Sequence, residues 1–143
     1  MTNMNAGKGP FTQARRELIA FRDRRGTTLQ GTLIFPVGHD PSKKYPMVVS
    51  IYGLLSHDQF RFRRPSPDLF DDPATHASRG YFVLLPDIVH QEGEVGPSAL
   101  DCVESAVRAV IRRDLVDPGR IGLMGISLGG YETAYDLCGS KLF

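Results

Sequence analysis

Three short, nearly continuous apolar runs limit what this chain can fold into more than any other feature. They are Met47 to Tyr52 (MVVSIY), Tyr81 to Leu85 (YFVLL) and Ile121 to Ile126 (IGLMGI). Successive residues of a strand point to opposite faces, so a strand apolar at every position must be covered on both sides. Such strands belong to parallel sheets layered between helices, and helical segments separate these runs. Pro73 to Ser78 is a short one, ended by Gly80. Ser98 to Arg113 is longer, with Cys102, Val103, Ala106, Val107, Val110 and Ile111 recurring at three- and four-residue steps. Ser98 reads as its cap, with Asp101 at the reciprocal capping-box position and Arg112 and Arg113 at the negative end of the helix dipole. Val116-Asp117-Pro118-Gly119 reads as a turn into the last run. The alternation predicts an α/β layered fold with a mostly parallel sheet.

The residues upstream carry a different pattern. Glu17 to Arg22 alternates in part, Asp23-Arg24-Arg25-Gly26 is turn-forming, and Thr28 to Phe35 is a second strand candidate ended by Pro36. These two predict an antiparallel pair at the N-terminal side of the sheet. His39 to Tyr45 reads as a polar surface loop. Residues 1–15 are expected to form a disordered lead-in to a single domain over residues 16–143.

Composition narrows the function classes. The 143 residues are 41% hydrophobic and 23% charged, with 17 Lys and Arg against 16 Asp and Glu. That near-neutral balance predicts neither a nucleic-acid nor a membrane partner. No apolar run approaches the roughly 20 residues needed to span a bilayer. Met1 to Pro10 is polar and has no hydrophobic core of a secretory signal, so a cytoplasmic location is expected. Cys102 and Cys138 are too few for a disulfide framework and are expected to be buried free thiols. No His/Cys/Asp cluster has metal-ligand spacing, and no phosphate-cradling loop occurs.

The motif that carries chemistry is Gly125-Ile126-Ser127-Leu128-Gly129, a G-x-S-x-G match. The bare pattern would arise by chance in roughly one such chain in ten, so its context decides its weight. An apolar strand, Ile121 to Ile126, leads in, and a helix-compatible segment, Leu128 to Cys138, leads out. That is the strand–turn–helix setting of a nucleophile elbow. The serine must sit in a strained turn, and side chains two residues to either side would collide with the adjoining strand and helix. Gly130 adds a further small residue. The backbone N–H of Leu128, at the positive end of the helix dipole, is placed to donate to an oxyanion. The plainer alternative is a glycine-rich helix start with an ordinary serine cap.

These residues resemble a known family. Val116 to Tyr135 (VDPGRIGLMGISLGGYETAY) is similar to the nucleophile region of the prolyl oligopeptidase family of serine peptidases. Arg22 to Gly53 is similar to that family's entry into its catalytic domain, and Ala77 to Ile88 (ASRGYFVLLPDI) to its next strand and acidic turn. The likeness covers most of the chain from about Arg16 onward, in the family's order. It implies an incomplete α/β-hydrolase fold, N-terminal part only, with a propeller domain typically ahead of it. The implied activity is hydrolysis of a peptide substrate through an acyl-enzyme on Ser127, without a cofactor. The resemblance also implies that Tyr52, at the end of the third strand, donates its hydroxyl to the oxyanion, worth about 3–4 kcal/mol for a single donor. The family commonly continues after this tyrosine with Gly and Pro, whereas here Leu54-Leu55-Ser56-His57 follows.

A serine needs a base, and the base an orienting acid. In this fold both follow the serine, but only Leu128 to Phe143 do so here. All four histidines, His39, His57, His76 and His90, precede it. His57 and His90 lie in loops that can approach the site, though the resemblance assigns neither a role. The expectation is therefore an inactive fragment of a serine peptidase. An esterase of the same fold, or a non-catalytic fragment acting by association through an exposed sheet edge, are the alternatives. Weaker candidates are Arg61, Arg63 and Arg64, interleaved with Phe60 and Phe62, for an acidic substrate group, and Glu92 and Glu94 for a peptide amino terminus.

Overall fold

The computed structural model describes residues 14–58 and 72–143. Most of the expected lead-in and the Phe60–Arg64 cluster lie outside the described residues. Five strands form one sheet in the order β1-β2-β4-β3-β5. They are β1 (Arg16–Arg22), β2 (Thr28–Ile34), β3 (Tyr45–Ile51), β4 (Phe82–Pro86) and β5 (Val116–Gly125). The helices are α1 (Pro73–Ser78), α2 (Val95–Ile111) and α3 (Leu128–Gly139), with a 3-10 turn at Ser56–Asp58. β3 pairs in parallel with β4 and β5, while β1–β2 and β2–β4 are antiparallel. The expected architecture is thus a parallel trio of strands carrying an antiparallel N-terminal pair on one side.

The apolar runs earn their places by burial. β4 is central, and Phe82, Val83 and Leu84 expose nothing. One face of the sheet, with Leu33, Met47, Val49, Ile51 and Leu84, packs on α2 through Cys102, Val103, Ala106, Val107 and Val110. On the other face Ile34 and Val83 meet Ala77 of α1. Each such aliphatic side chain contributes about 1.5–3 kcal/mol when fully buried.

Helix α2 starts a turn earlier than expected, and Ser98 is not its cap. Pro97 is tolerated because it falls in the first turn, where backbone N–H groups have no intrahelical partner to lose. Glu94 occupies the capping position, but its side chain makes no capping hydrogen bond. The Ser98 hydroxyl instead accepts from Gln91 N at 3.0 Å, and Asp101 accepts from Arg24 N at 3.0 Å. Arg24 also reaches Glu104 at 2.7 Å, so the β1–β2 turn is tied down onto α2. At the far end Arg113 pairs with Glu17 of β1 at 2.9 Å rather than serving only the helix dipole.

Three other expectations are corrected. The Val116–Gly119 turn is absorbed into β5 as an irregularity: Tyr45 pairs with Val116 and Met47 with Ile121, and Gly119 N bonds the Asp117 carboxylate at 3.0 Å. Cys138 is exposed, and only Cys102 is a buried thiol. His39 is not a plain loop residue, since its ring packs against Phe35, Tyr45 and Phe82 at centroid distances of 5.2–5.4 Å.

Candidate active site

Ser127 sits between the end of β5 and the start of α3 with φ 57 and ψ −120. Among the described residues, Asp114 is the other non-glycine with positive φ. Such a backbone costs on the order of 1–3 kcal/mol and persists only where the surroundings impose it. Two glycines do so here. A Cβ on Gly125 would overlap the Gly129 carbonyl, and one on Gly129 would overlap the Ile51 carbonyl. The end of β5, the start of α3 and the end of β3 therefore touch backbone to backbone. Thr133 Oγ1 donates to the Gly129 carbonyl at 2.7 Å and secures the first turn of α3.

Tyr52 follows β3 directly, and its ring edge comes within 3.7 Å of where a Gly129 Cβ would lie. Its side chain is more than half exposed. A cavity of about 400 Å³ is lined by Ser50, Ile51 and Tyr52 from β3 and by Gly125, Ile126 and Ser127 from the elbow. Two expected site residues, Ser127 and Tyr52, thus share one cavity. Leu128, the third, is the first residue of α3, immediately after the serine. Its side chain is exposed and does not line the cavity.

The other candidates are placed elsewhere or engaged. His57 lies in the 3-10 turn beyond Tyr52. His90, in the loop after β4, is partly buried, with Nε2 2.5 Å from Glu132 Oε1. Glu94 is held by Arg25 at 2.8 Å, and Glu92 is exposed.

The sequence reading missed Glu132 and Asp136, both without exposed surface. Among the described residues, Glu132 Oε2 and both Asp136 oxygens find no hydrogen-bond partner. Burial, then the charges of Glu132 and Glu104, push the Asp136 carboxyl up to about 7. A signal existed: Gly129 must face β3, and residues three and seven positions on share that helix face. The buried residues of α3 are Gly129, Glu132 and Asp136, while Leu128, Tyr131 and Leu137 are exposed and the Tyr135 ring lies against Gly96 of α2. Among the described residues, no cluster of His, Cys, Asp or Glu is placed to hold a metal ion, and no helix is long and apolar enough to cross a membrane.

No family model matches the chain. A human protein named dipeptidyl peptidase 8 is 33% identical over 131 residues, covering 80% of this chain and 14% of that one. A rice protein (Oryza sativa subsp. japonica) named probable glutamyl endopeptidase, chloroplastic, is 28% identical over 136 residues, covering 83% and 14%. The crystal structure of Porphyromonas gingivalis dipeptidyl peptidase 4 matches with TM-score 0.71 at 26% identity, over 92% of this chain and 20% of that one. The chain belongs to the prolyl oligopeptidase family. Its five-stranded mixed sheet with helices is part of the α/β-hydrolase fold of that family. It spans 14% of the length of these two curated members.

Proposed function

We propose that this chain carries the nucleophile and oxyanion side of a serine peptidase site. The observation that supports the reading best is the backbone of Ser127, held at φ 57 between two glycines whose packing tolerates no side chain, beside Tyr52 in one cavity. In the proposed step, Ser127 Oγ attacks the carbonyl carbon of a peptide bond while its proton passes to a base. The carbonyl oxygen takes up the electron pair and is met by the Leu128 N–H and the Tyr52 hydroxyl. Collapse expels the amine, which takes the proton from the base and leaves an acyl-serine. The base and its orienting acid follow the serine in α/β-hydrolases, so a longer chain would supply them. A polypeptide of these 143 residues alone is then inactive.

A fluorophosphonate probe followed by intact-mass analysis tests this. The 143 residues alone should label at most very slowly, and a longer chain supplying Asp and His should label rapidly at Ser127. Labelling that persists in Ser127→Ala would overturn the assignment. Comparing a peptide amide with a matched ester substrate separates the peptidase reading from an esterase of the same fold. The reading extends to a cytoplasmic location, supported by two unpaired thiols, as a reducing compartment maintains. Fractionation of the tagged chain checks it.

The sheet supports a second reading, self-association. β5 ends the strand order, so one side of its backbone ladder has no partner among the described residues. Beside it, Ile126 and the outward residues Leu128, Tyr131 and Leu137 of α3 are exposed. A free edge next to an apolar surface is a template for a second copy of the chain.

A further inference from the structure

We propose that Asp87 is a positioning residue that sets the path of the loop carrying Tyr52, an assignment that rests on the oxyanion role proposed for Tyr52. Asp87 follows Pro86, the last residue of β4, and is only 7% exposed. Its Oδ1 accepts two backbone amides, Leu55 N and Ser56 N, each at 2.8 Å. Its Oδ2 accepts the Ser56 hydroxyl at 2.6 Å. The adjoining backbone completes the attachment. Ile88 N donates to the Gly53 carbonyl at 2.9 Å, and Asp87 N donates to Gln30 O of β2 at 2.8 Å.

Side-chain burial gives the start of this loop little hold. The Tyr52 and Leu54 side chains are more than half exposed, and Gly53 turns with φ 59. Apolar burial therefore does not fix where Tyr52 points. A carboxylate that gathers two converging amides and a hydroxyl does, since hydrogen bonds to a charged acceptor are short, directional and about twice as strong as neutral ones. The anchor stands on β4, whose Phe82, Val83 and Leu84 have no exposed surface. Gly53 through Ser56 is thus referenced to the most deeply buried strand, and Tyr52 is held between that reference and the end of β3.

Hydrogen exchange of the full chain, read at Leu55 and Ser56, tests the anchor. In Asp87→Ala both amides should exchange about tenfold faster or more, the effect of losing a hydrogen bond to a charged group. Asp87→Asn keeps an oxygen where Oδ1 accepts both amides and should restore most of the protection. Ser56→Ala removes only the hydroxyl contact and should fall between them. In a longer enzyme containing this chain, Asp87→Ala should lower kcat about 10- to 100-fold at nearly unchanged KM, with Asp87→Asn recovering most of the loss. If Asp87→Ala does not fold, Ser56→Ala still decides, through the partial loss of protection expected there. Wild-type exchange rates in every folded variant would overturn the anchor. Loss of protection in Asp87→Ala together with full kcat in Tyr52→Phe would instead overturn the role of Tyr52 and leave the anchor standing.

Discussion

His90 Nε2 lies 2.5 Å from Oε1 of Glu132, a carboxyl with no exposed surface on the helix that begins immediately after Ser127. The pair joins the β4–α2 loop to α3. Removing one partner leaves the other buried without compensation, which costs about 1–3 kcal/mol, or more if the remaining group is charged. His90→Ala should lower the urea midpoint, and Glu132→Gln, which keeps an oxygen facing His90, should lower it less. Equal midpoints for wild type and His90→Ala would show that the contact contributes nothing to stability.

Asp136 predicts an unusual pH dependence. Its carboxyl is raised from 3.8 to about 7 by burial first, then by Glu132 on its own helix and Glu104 on α2. Arg24 and Ser140 face Glu104 rather than Asp136. A raised acid keeps its proton in the fold while the unfolded chain releases it. Its contribution is therefore neutral below the unfolded value, turns progressively against folding from about pH 4, and levels off above about pH 7. Asp136→Asn should remove this slope and stabilise the chain at pH 8, by up to about 4 kcal/mol. Urea titrations at pH 5 and pH 8 measure it, and a wild type no weaker relative to Asp136→Asn at pH 8 than at pH 5 contradicts it.

The elbow predicts a sharp contrast between two glycines of one segment. A Cβ on Gly129 would run into the Ile51 carbonyl, whereas one on Gly122 of β5 meets nothing within 4 Å. Gly129→Ala should destabilise by about 1–3 kcal/mol or more and suppress labelling of Ser127 in a longer, reactive chain. Gly122→Ala should stay within about 0.5 kcal/mol of wild type. Denaturant midpoints and labelling rates on both variants check the contrast.

Tyr52→Phe, in a longer enzyme that contains this chain, should lower kcat with little change in KM. One oxyanion donor is worth about 3–4 kcal/mol, or roughly 100- to 1,000-fold. Unchanged kcat would leave Tyr52 as a strand-end packing residue.

Self-association should appear in light scattering coupled to size exclusion. The wild-type chain should run as dimers or larger species whose share rises with concentration. Ile126→Lys and Tyr131→Lys should shift it toward monomer, because a charge blunts an exposed apolar edge. A monodisperse wild-type monomer at every concentration would remove this reading.

Much of this architecture is written in local pattern. The both-face burial of β4 follows from YFVLL, the antiparallel start from two strand candidates around Asp23–Gly26, and the elbow from two glycines flanking Ser127 at the end of an apolar run. Each depends on residues a few positions apart, and the physics that reads them is short-ranged. Where a local rule misled, a distant partner had intervened. Asp101 looks like a capping-box residue but faces Arg24 of the β1–β2 turn, and Ser98 takes a hydrogen bond from Gln91 instead of capping α2.

What the chain order could not contain is which polar groups would be enclosed together. His90 and Glu132 stand 42 positions apart, and Asp87 and Leu55 stand 32 apart. Those meetings are made by the sheet. The parallel pairing of β3 with β4 brings the loop after one strand beside the residue that ends the other. The packing of α2 and α3 over the same sheet then closes over Glu132 and Asp136. Local pattern therefore determined the elements and the strained serine turn, through sterics and hydrophobic period. The tertiary structure alone decided which carboxylates were cut off from water and which backbone amides they had to satisfy, because burial is a property of the assembled layers.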